Sequence, residues 1–249
     1  MMSTFVALWE PIQQKIFDGI PLTFFEGFYK EVYMNVIADN RWLSYLKGLG
    51  VTLEVSLFSA VVGLVLGLIL ALMKLSNSKV LSKLAGTYIH LIRSTPLLLQ
   101  VLIISFGIFG SVKIDKVIIG VIACGLNSGA YVAEIIRGGI LSVDKGQTEA
   151  GRSLGLSSAQ TTWLIVLPQA MKTALPSLCN EFIVLIKETS ILAYVALTEL
   201  TKAGDYIRSR TYSAFTPYIV SALLYLAVIS VFTKLVGMLE RRLRQSDIR

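Results

Sequence analysis

LGVTLEVSLFSAVVGLVLGLILALM, Leu49–Met73, decides the fold: Glu54 is its single charged residue. An unbroken apolar run of about 20 residues suffices for a helix to cross roughly 30 Å of hydrocarbon. Four further apolar stretches follow, at about Leu84–Phe109, Val117–Arg137, Thr173–Leu197 and Phe215–Leu239. Only helices and closed barrels satisfy their backbone polar groups inside a bilayer. Barrel strands alternate in segments of about ten residues, and these runs do not alternate. The expected fold class is therefore an all-α integral membrane protein with five transmembrane helices. Composition agrees, because only 16% of the chain is charged, whereas a soluble chain carries about 25%.

Before the first span, Phe24, Phe25, Phe28, Tyr29, Val32, Tyr33, Val36 and Ile37 form a stripe at helical spacing, backed by Glu26, Lys30, Glu31 and Asn35. That pattern predicts an amphipathic helix lying in the membrane interface. Trp42 and Tyr45 continue it as an aromatic belt. The chain thus divides into an interfacial segment (1–47), a transmembrane domain (48–240) and a basic tail (241–249).

The net charge of +7 is placed like a topology signal, which argues against nucleic-acid binding. Arg241, Arg242, Arg244 and Arg249 follow the last span, and Lys74, Lys79 and Lys83 follow the first. With basic ends on the cytoplasmic side, the C-terminus is inside and the N-terminus outside. The 74–83 loop and the 138–168 segment then face the cytoplasm, and the loops at 110–116 and 200–214 face outward. Lys202, Arg208 and Arg210 in the second outer loop run against the rule.

Several function classes are excluded. Cys124 and Cys179 lie in apolar stretches and His90 has no companion, so neither a disulfide framework nor a metal site is expected. No phosphate-cradling Gly-x-x-x-x-Gly-Lys-Ser/Thr occurs, and one histidine leaves no nucleophile–base pair, so no catalytic residues are assigned. Gly63/Gly67 and Gly125/Gly129 are small-xxx-small pairs that let helices approach closely. Ionisable groups inside the spans point to solute movement: Arg93 beside Pro96, Glu134, and Glu181, Lys187 and Glu188. Seven residues make almost two turns, so Glu181 and Glu188 share a face and Asn180 and Lys187 the adjacent one. The strip either lines a solute path or closes an internal ion pair, for instance Lys187 with Glu134 or Glu188.

The polar stretch EAGRSLGLSSAQTTWLIVLP, Glu149–Pro168, interrupts the apolar runs. Its Glu149-Ala150-Gly151, Gly155 and Ile165-Val166-Leu167-Pro168 resemble the cytoplasmic motif of permease subunits of bacterial binding-protein-dependent ABC importers, with Gly where that motif has its second Ala. GLGVTL (Gly48–Leu53), RSTPLLLQ (Arg93–Gln100), YVAEIIRG (Tyr131–Gly138) and NEFIVLIKETS (Asn180–Ser190) resemble segments of the polar amino acid branch.

The resemblance implies a permease that moves a polar amino acid, or a similar small polar solute such as an opine, by alternating access across the bacterial cytoplasmic membrane. A helix over about Asp144–Leu154, broken at Gly155, would be the coupling helix. It would dock on a partner ATPase through Gly146, Gln147, Glu149, Ala150, Gly151, Arg152, Leu154, Gly155, Leu156 and Pro168. The solute path or gate would use Glu134, Asn180, Glu181, Val184, Lys187, Glu188, Thr189 and Ser190. Ser111, Lys113, Asp115, Lys202, Asp205 and Arg208 would meet an extracytoplasmic solute-binding protein. The implied partners also include two ATPase subunits holding ATP and Mg, and a second permease, identical or related. A secondary transporter or channel is the rival reading; it expects an inverted repeat and leaves the 149–168 motif unexplained.

Overall fold

A computed structural model describes residues 2–245, with side chains from 7 to 243. Of the basic tail, Arg249 and the Arg244 side chain lie outside the described residues. The chain forms helices α1 (Met2–Phe17), α2 (Phe24–Val32), α3 (Arg41–Leu75), α4 (Lys79–Arg93), α5 (Leu97–Leu102), α6 (Lys116–Leu141), α7 (Lys145–Ser153), α8 (Ser158–Thr161), α9 (Leu167–Glu188), α10 (Leu200–Thr211) and α11 (Thr216–Gln245). No strand occurs among the described residues.

Two compact units result, one made of Met1–Val51 with Thr198–Leu226, the other of Thr52–Leu197 with Ala227–Arg249. In the first, α2 opens with a capping box. Glu26 N–H donates to Thr23 Oγ1 at 3.4 Å, and Thr23 N–H donates to the Glu26 carboxylate at 2.9 Å. Phe24, Phe25 and Phe28 stand exposed, as an interfacial stripe requires. The polar backing of that stripe does not face solvent throughout. Asn35 is fully buried and accepts Thr211 Oγ1–H at 2.7 Å. Glu31 accepts from Asn35 Nδ2 (3.0 Å), Ser213 Oγ (2.6 Å) and Thr216 Oγ1 (2.8 Å). A short polar residue with several partners can be buried where a lone one cannot, and helical spacing alone does not reveal partners 176 to 185 residues away.

The same unit corrects the reading of 200–214 as a loop. Glu199 caps a helix there, accepting the N–H groups of Thr201 (2.8 Å) and Lys202 (2.7 Å) and the Tyr225 hydroxyl (2.9 Å). Gly48 reaches within 3.0 Å of the Glu199 backbone, measured from where a Cβ would stand, so only a glycine fits at that contact.

The second unit is organised around α6. Gly63 and Gly67 of α3 lie against Ser128 and Val132, while Gly125 and Gly129 of α6 lie against Val62 and Leu66. Both small-residue pairs therefore sit on one seam and interlock, since a Cβ at Gly67 would stand 2.5 Å from Val132 Cγ1. On another face Gly139 meets the Ala170 carbonyl and Ala174 of α9, with Cβ distances of 2.9 Å. Ala85 and Ile89 of α4 complete a core with Leu70, Ala71, Val132, Ala133 and Ile136.

Three described stretches are long and apolar enough to cross a membrane: Phe24–Leu75, Lys116–Leu141 and Thr216–Leu243. The stretch expected as one span over Leu84–Phe109 is instead two helical segments, Lys79–Arg93 and Leu97–Ile108, bent by 103°. Pro96 lacks an N–H and disfavours helix at the residue before it. The freed carbonyls are recovered by two side chains, as Thr95 Oγ1 donates to Leu91 O (2.9 Å) and Gln100 Nε2 to Ile92 O (2.8 Å) and Thr95 O (3.1 Å). Gln100 Oε1 in turn accepts from Asn127 Nδ2 at 2.9 Å. The predicted span over Thr173–Leu197 is α9 followed by a tighter 3-10 segment, Thr189–Val195. Glu181, Lys187 and Glu188 put three charges within it, and α9 is not among the three long apolar stretches.

Candidate functional site

Three features of the second unit carry the predicted residues. The first is a knob. Asp144 caps α7 through Gly146 N–H at 2.6 Å. At the other end the N–H of Gly155 meets the Arg152 carbonyl (3.0 Å) and that of Leu156 meets the Gly151 carbonyl (3.2 Å). Gly155 takes φ +84°, a region open to glycine at little cost. Arg152 Nη1 donates to Leu156 O at 2.7 Å, closing the turn. Glu149, Ala150 and Leu154 are exposed, whereas Gly151 is buried. A Cβ at Gly151 would stand 2.8 Å from both Thr161 and Ile165. The glycine that departs from the motif is thus matched to bulkier neighbours, which fasten α7 to the segment leading into α9. Gln147 and Gln169 add a hydrogen bond of 3.2 Å across the same seam, with Pro168 exposed beside it in the first turn of α9. Trp163 and Leu164 stand exposed nearby; their helical spacing singled out neither one.

The second feature is an apolar groove of ≈ 520 Å³, walled by Leu64, Leu175, Leu178, Phe182, Phe232 and Leu235 among others. Glu181 enters it and accepts the Ser128 hydroxyl at 2.9 Å. Along α9, Glu181, Val184 and Glu188 are half-buried on one face, while Asn180 and Lys187 are exposed on the next. Thr189 is buried, with its hydroxyl on the Ile186 carbonyl at 2.8 Å, and Ser190 is half-buried.

The third feature is a polar recess of ≈ 440 Å³ lined by Lys74, Gly86, His90, Arg93, Tyr131 and Glu134 among others. Glu134 lies here, and its ion-pair partner is Arg137: Arg137 Nε donates at 3.1 and 3.2 Å and Nη2 at 2.7 Å. The suggested Lys187–Glu134 pair is thereby replaced. Arg93 stands 4.0 Å from Glu134 and over the Tyr131 ring, 5.2 Å from its centroid.

Of the residues expected on outer loops, Ser111 and Lys113 are exposed and Asp115 caps α6 through Val117 N–H at 2.8 Å. Lys202, Asp205 and Arg208 lie on α10 as an i, i+3 cluster, with Lys202 Nζ 2.9 Å and Arg208 Nη2 3.1 Å from Asp205. The Lys202 ammonium, then Arg208 and Tyr218, hold the Asp205 carboxyl at about 2 against partial burial. Among the described residues no group of three or more His, Cys, Asp or Glu side chains could hold a metal ion.

The family described as binding-protein-dependent transport system inner membrane component matches residues 63–245. The chain is 37% identical over 204 residues to the arginine transport system permease protein ArtQ of Bacillus subtilis (strain 168), covering 81% of this chain and 93% of that protein. It is 35% identical over 202 residues to the glutamine transport system permease protein GlnP of Escherichia coli (strain K12), covering 80% and 92%. A solved amino acid ABC transporter with histidines superposes at TM-score 0.76 with 44% identity, over 80% of this chain and 94% of that one. The MetNI methionine ABC transporter, at 16% identity and TM-score 0.72, shares the fold.

Proposed function

Since the chain belongs to the family of binding-protein-dependent transport system inner membrane components, we propose that it is the membrane permease of an ATP-driven importer for a polar amino acid. The observation that carries this reading is the knob: an exposed Glu149-Ala150 pair on a short, doubly capped helix whose buried face is Gly151. In this reading α7 is the coupling helix, inserted into one of two partner ATPase subunits that bind ATP and Mg. Glu149 and Arg152 supply polar contacts, and Leu154 an apolar one.

Five spans follow if the bent α4–α5 pair and α9 each cross the bilayer alongside α3, α6 and α11. The N-terminus is then outside, and α7 and the basic tail lie in the cytoplasm. Two permease chains, identical or related, enclose the path. ATP-driven closure of the ATPases moves α7, and the Gly151–Thr161–Ile165 contact passes that movement to α9, whose strip from Asn180 to Ser190 lines the path or its gate. Ser111, Lys113, Asp115, Lys202, Asp205 and Arg208 meet the solute-binding protein. ATP hydrolysis belongs to the partner; this chain's residues hold, gate and transmit.

The test is co-purification with candidate ATPase subunits and measurement of ATP hydrolysis, with Glu149→Arg as the variant. A stable complex whose solute-stimulated hydrolysis falls at least about tenfold in the variant supports the reading. Transport by this chain alone, indifferent to Glu149, would overturn it in favour of a secondary carrier.

A further inference from the structure

The recess between α3, α4 and α6 holds more positive charge than its one carboxylate can use. Glu134 is committed to Arg137 by three short contacts. Arg93 approaches that carboxylate only to 4.0 Å, beyond hydrogen-bond range, and its guanidinium fork is held in place by the Tyr131 face. Lys74 comes from the end of α3 and lays its ammonium over Gly86, in the space a Cβ would take. Three cations thus surround one carboxylate, and two of them, Lys74 and Arg93, line the open volume.

The direction of opening identifies the kind of anion. At about 100° per residue, Val80, Leu84 and Leu91 share one face of α4, and all three are exposed apolar residues. Gly86 and Arg93 fall on roughly the opposite face. An anionic lipid would have to bring its acyl chains around the helix to reach the recess, whereas a water-soluble anion would not. A volume of ≈ 440 Å³ suits a small molecule.

We propose that this recess receives the α-carboxylate of the transported amino acid. Arg93 donates its planar fork to the two carboxylate oxygens, the geometry for which a guanidinium is better suited than an ammonium, and Lys74 adds a second positive charge. This deepens the importer reading and rests on it: the backbone end of the solute is held at α4 and α6, apart from the α9 strip on which span-borne charge is most conspicuous in the sequence.

The experiment uses the complex with its ATPase subunits in lipid nanodiscs, in a Cys179→Ser background with Ser94→Cys as the reporter at the rim of the recess. Alkylation by an anionic and by a cationic methanethiosulfonate of equal size is timed. L-Glutamine, L-glutamate, L-arginine and L-histidine are each added, beside the corresponding α-amides, which lack the α-carboxylate. The anionic reagent should react about tenfold faster than the cationic one, at least one acid should slow it, and that acid's amide should not. Arg93→Gln should abolish the preference; Arg93→Lys should keep the preference and lose the protection.

Equal rates for the two reagents, protection by amide and acid alike, or no protection by any of the acids would overturn the proposal. So would protection that follows phosphatidylglycerol content and ignores amino acids. ATPase association is scored in the same samples. If it is intact while carboxylate dependence is missing, the recess assignment alone fails; if it is absent, the importer reading fails with it.

Discussion

Glu134 and Glu181 are the same side chain in opposite settings within one unit. Glu134 sits in a polar recess, gripped by Arg137 and near two more cations, whereas Glu181 sits in an apolar groove with the Ser128 hydroxyl as its hydrogen-bond partner. The first carboxylate offsets charge that the fold has already gathered. The second is a charge the fold tolerates at a cost, because a lone neutral donor does not replace hydration. A carboxylate kept where it does not stabilise is better explained by transport than by architecture.

Substitutions of the two should therefore differ in sign. Glu134→Gln leaves Arg93, Arg137 and Lys74 facing one another, and is expected to cost about 2 kcal/mol, reduced from the fully buried case because both partners are partly exposed; a lowered thermal midpoint of the purified complex checks it. An unchanged midpoint would place Glu134 with Glu181. Glu181→Gln keeps an acceptor for Ser128 and removes the charge, so stability should hold or rise by about 1 kcal/mol. Solute-stimulated ATPase activity should meanwhile fall roughly tenfold. Unchanged uptake and unchanged stimulation would remove Glu181 from the solute path.

Asp205 supplies the surface version of the comparison, with the smallest effect. Its carboxyl is held at about 2 by Lys202, Arg208 and Tyr218, below its ordinary value. The ion pairs therefore stabilise fully above that ordinary value and are lost as pH falls toward 2. For a cluster about one-third exposed, the loss is under about 1 kcal/mol. Asp205→Asn should flatten that acid limb of the stability curve and leave neutral pH nearly unchanged.

What could be read from the residues beforehand follows the range of the interactions. The glycine pairs at 63/67 and 125/129 announced a close seam, because spacing of four on a helix is a local pattern, and α3 and α6 do meet there. The knob at Glu149–Gly155 was readable for the same reason, its caps lying within a few residues of what they cap. Helical spacing makes Glu31 and Asn35 the polar backing of an apolar stripe and no more, because their partners, Thr211, Ser213 and Thr216, are far along the chain. The recess was hidden likewise. Lys74 reads as a topology charge and Arg93 as a cation beside a proline, and only the packing of α4 on α3 and α6, just before the bend at Pro96, brings them to one cavity.

That bend also bears on how force travels. Gln100 of α5 reaches back across the corner to the Ile92 and Thr95 carbonyls while Asn127 of α6 holds Gln100 from behind, so the corner is braced like a shelf bracket. Such a joint cannot flex without first breaking several bonds at once. α4 and α5 should then swing as a single rigid piece during the transport stroke, carrying Arg93 along, and the bending must be taken up elsewhere, for example in the tightly wound turn after Glu188.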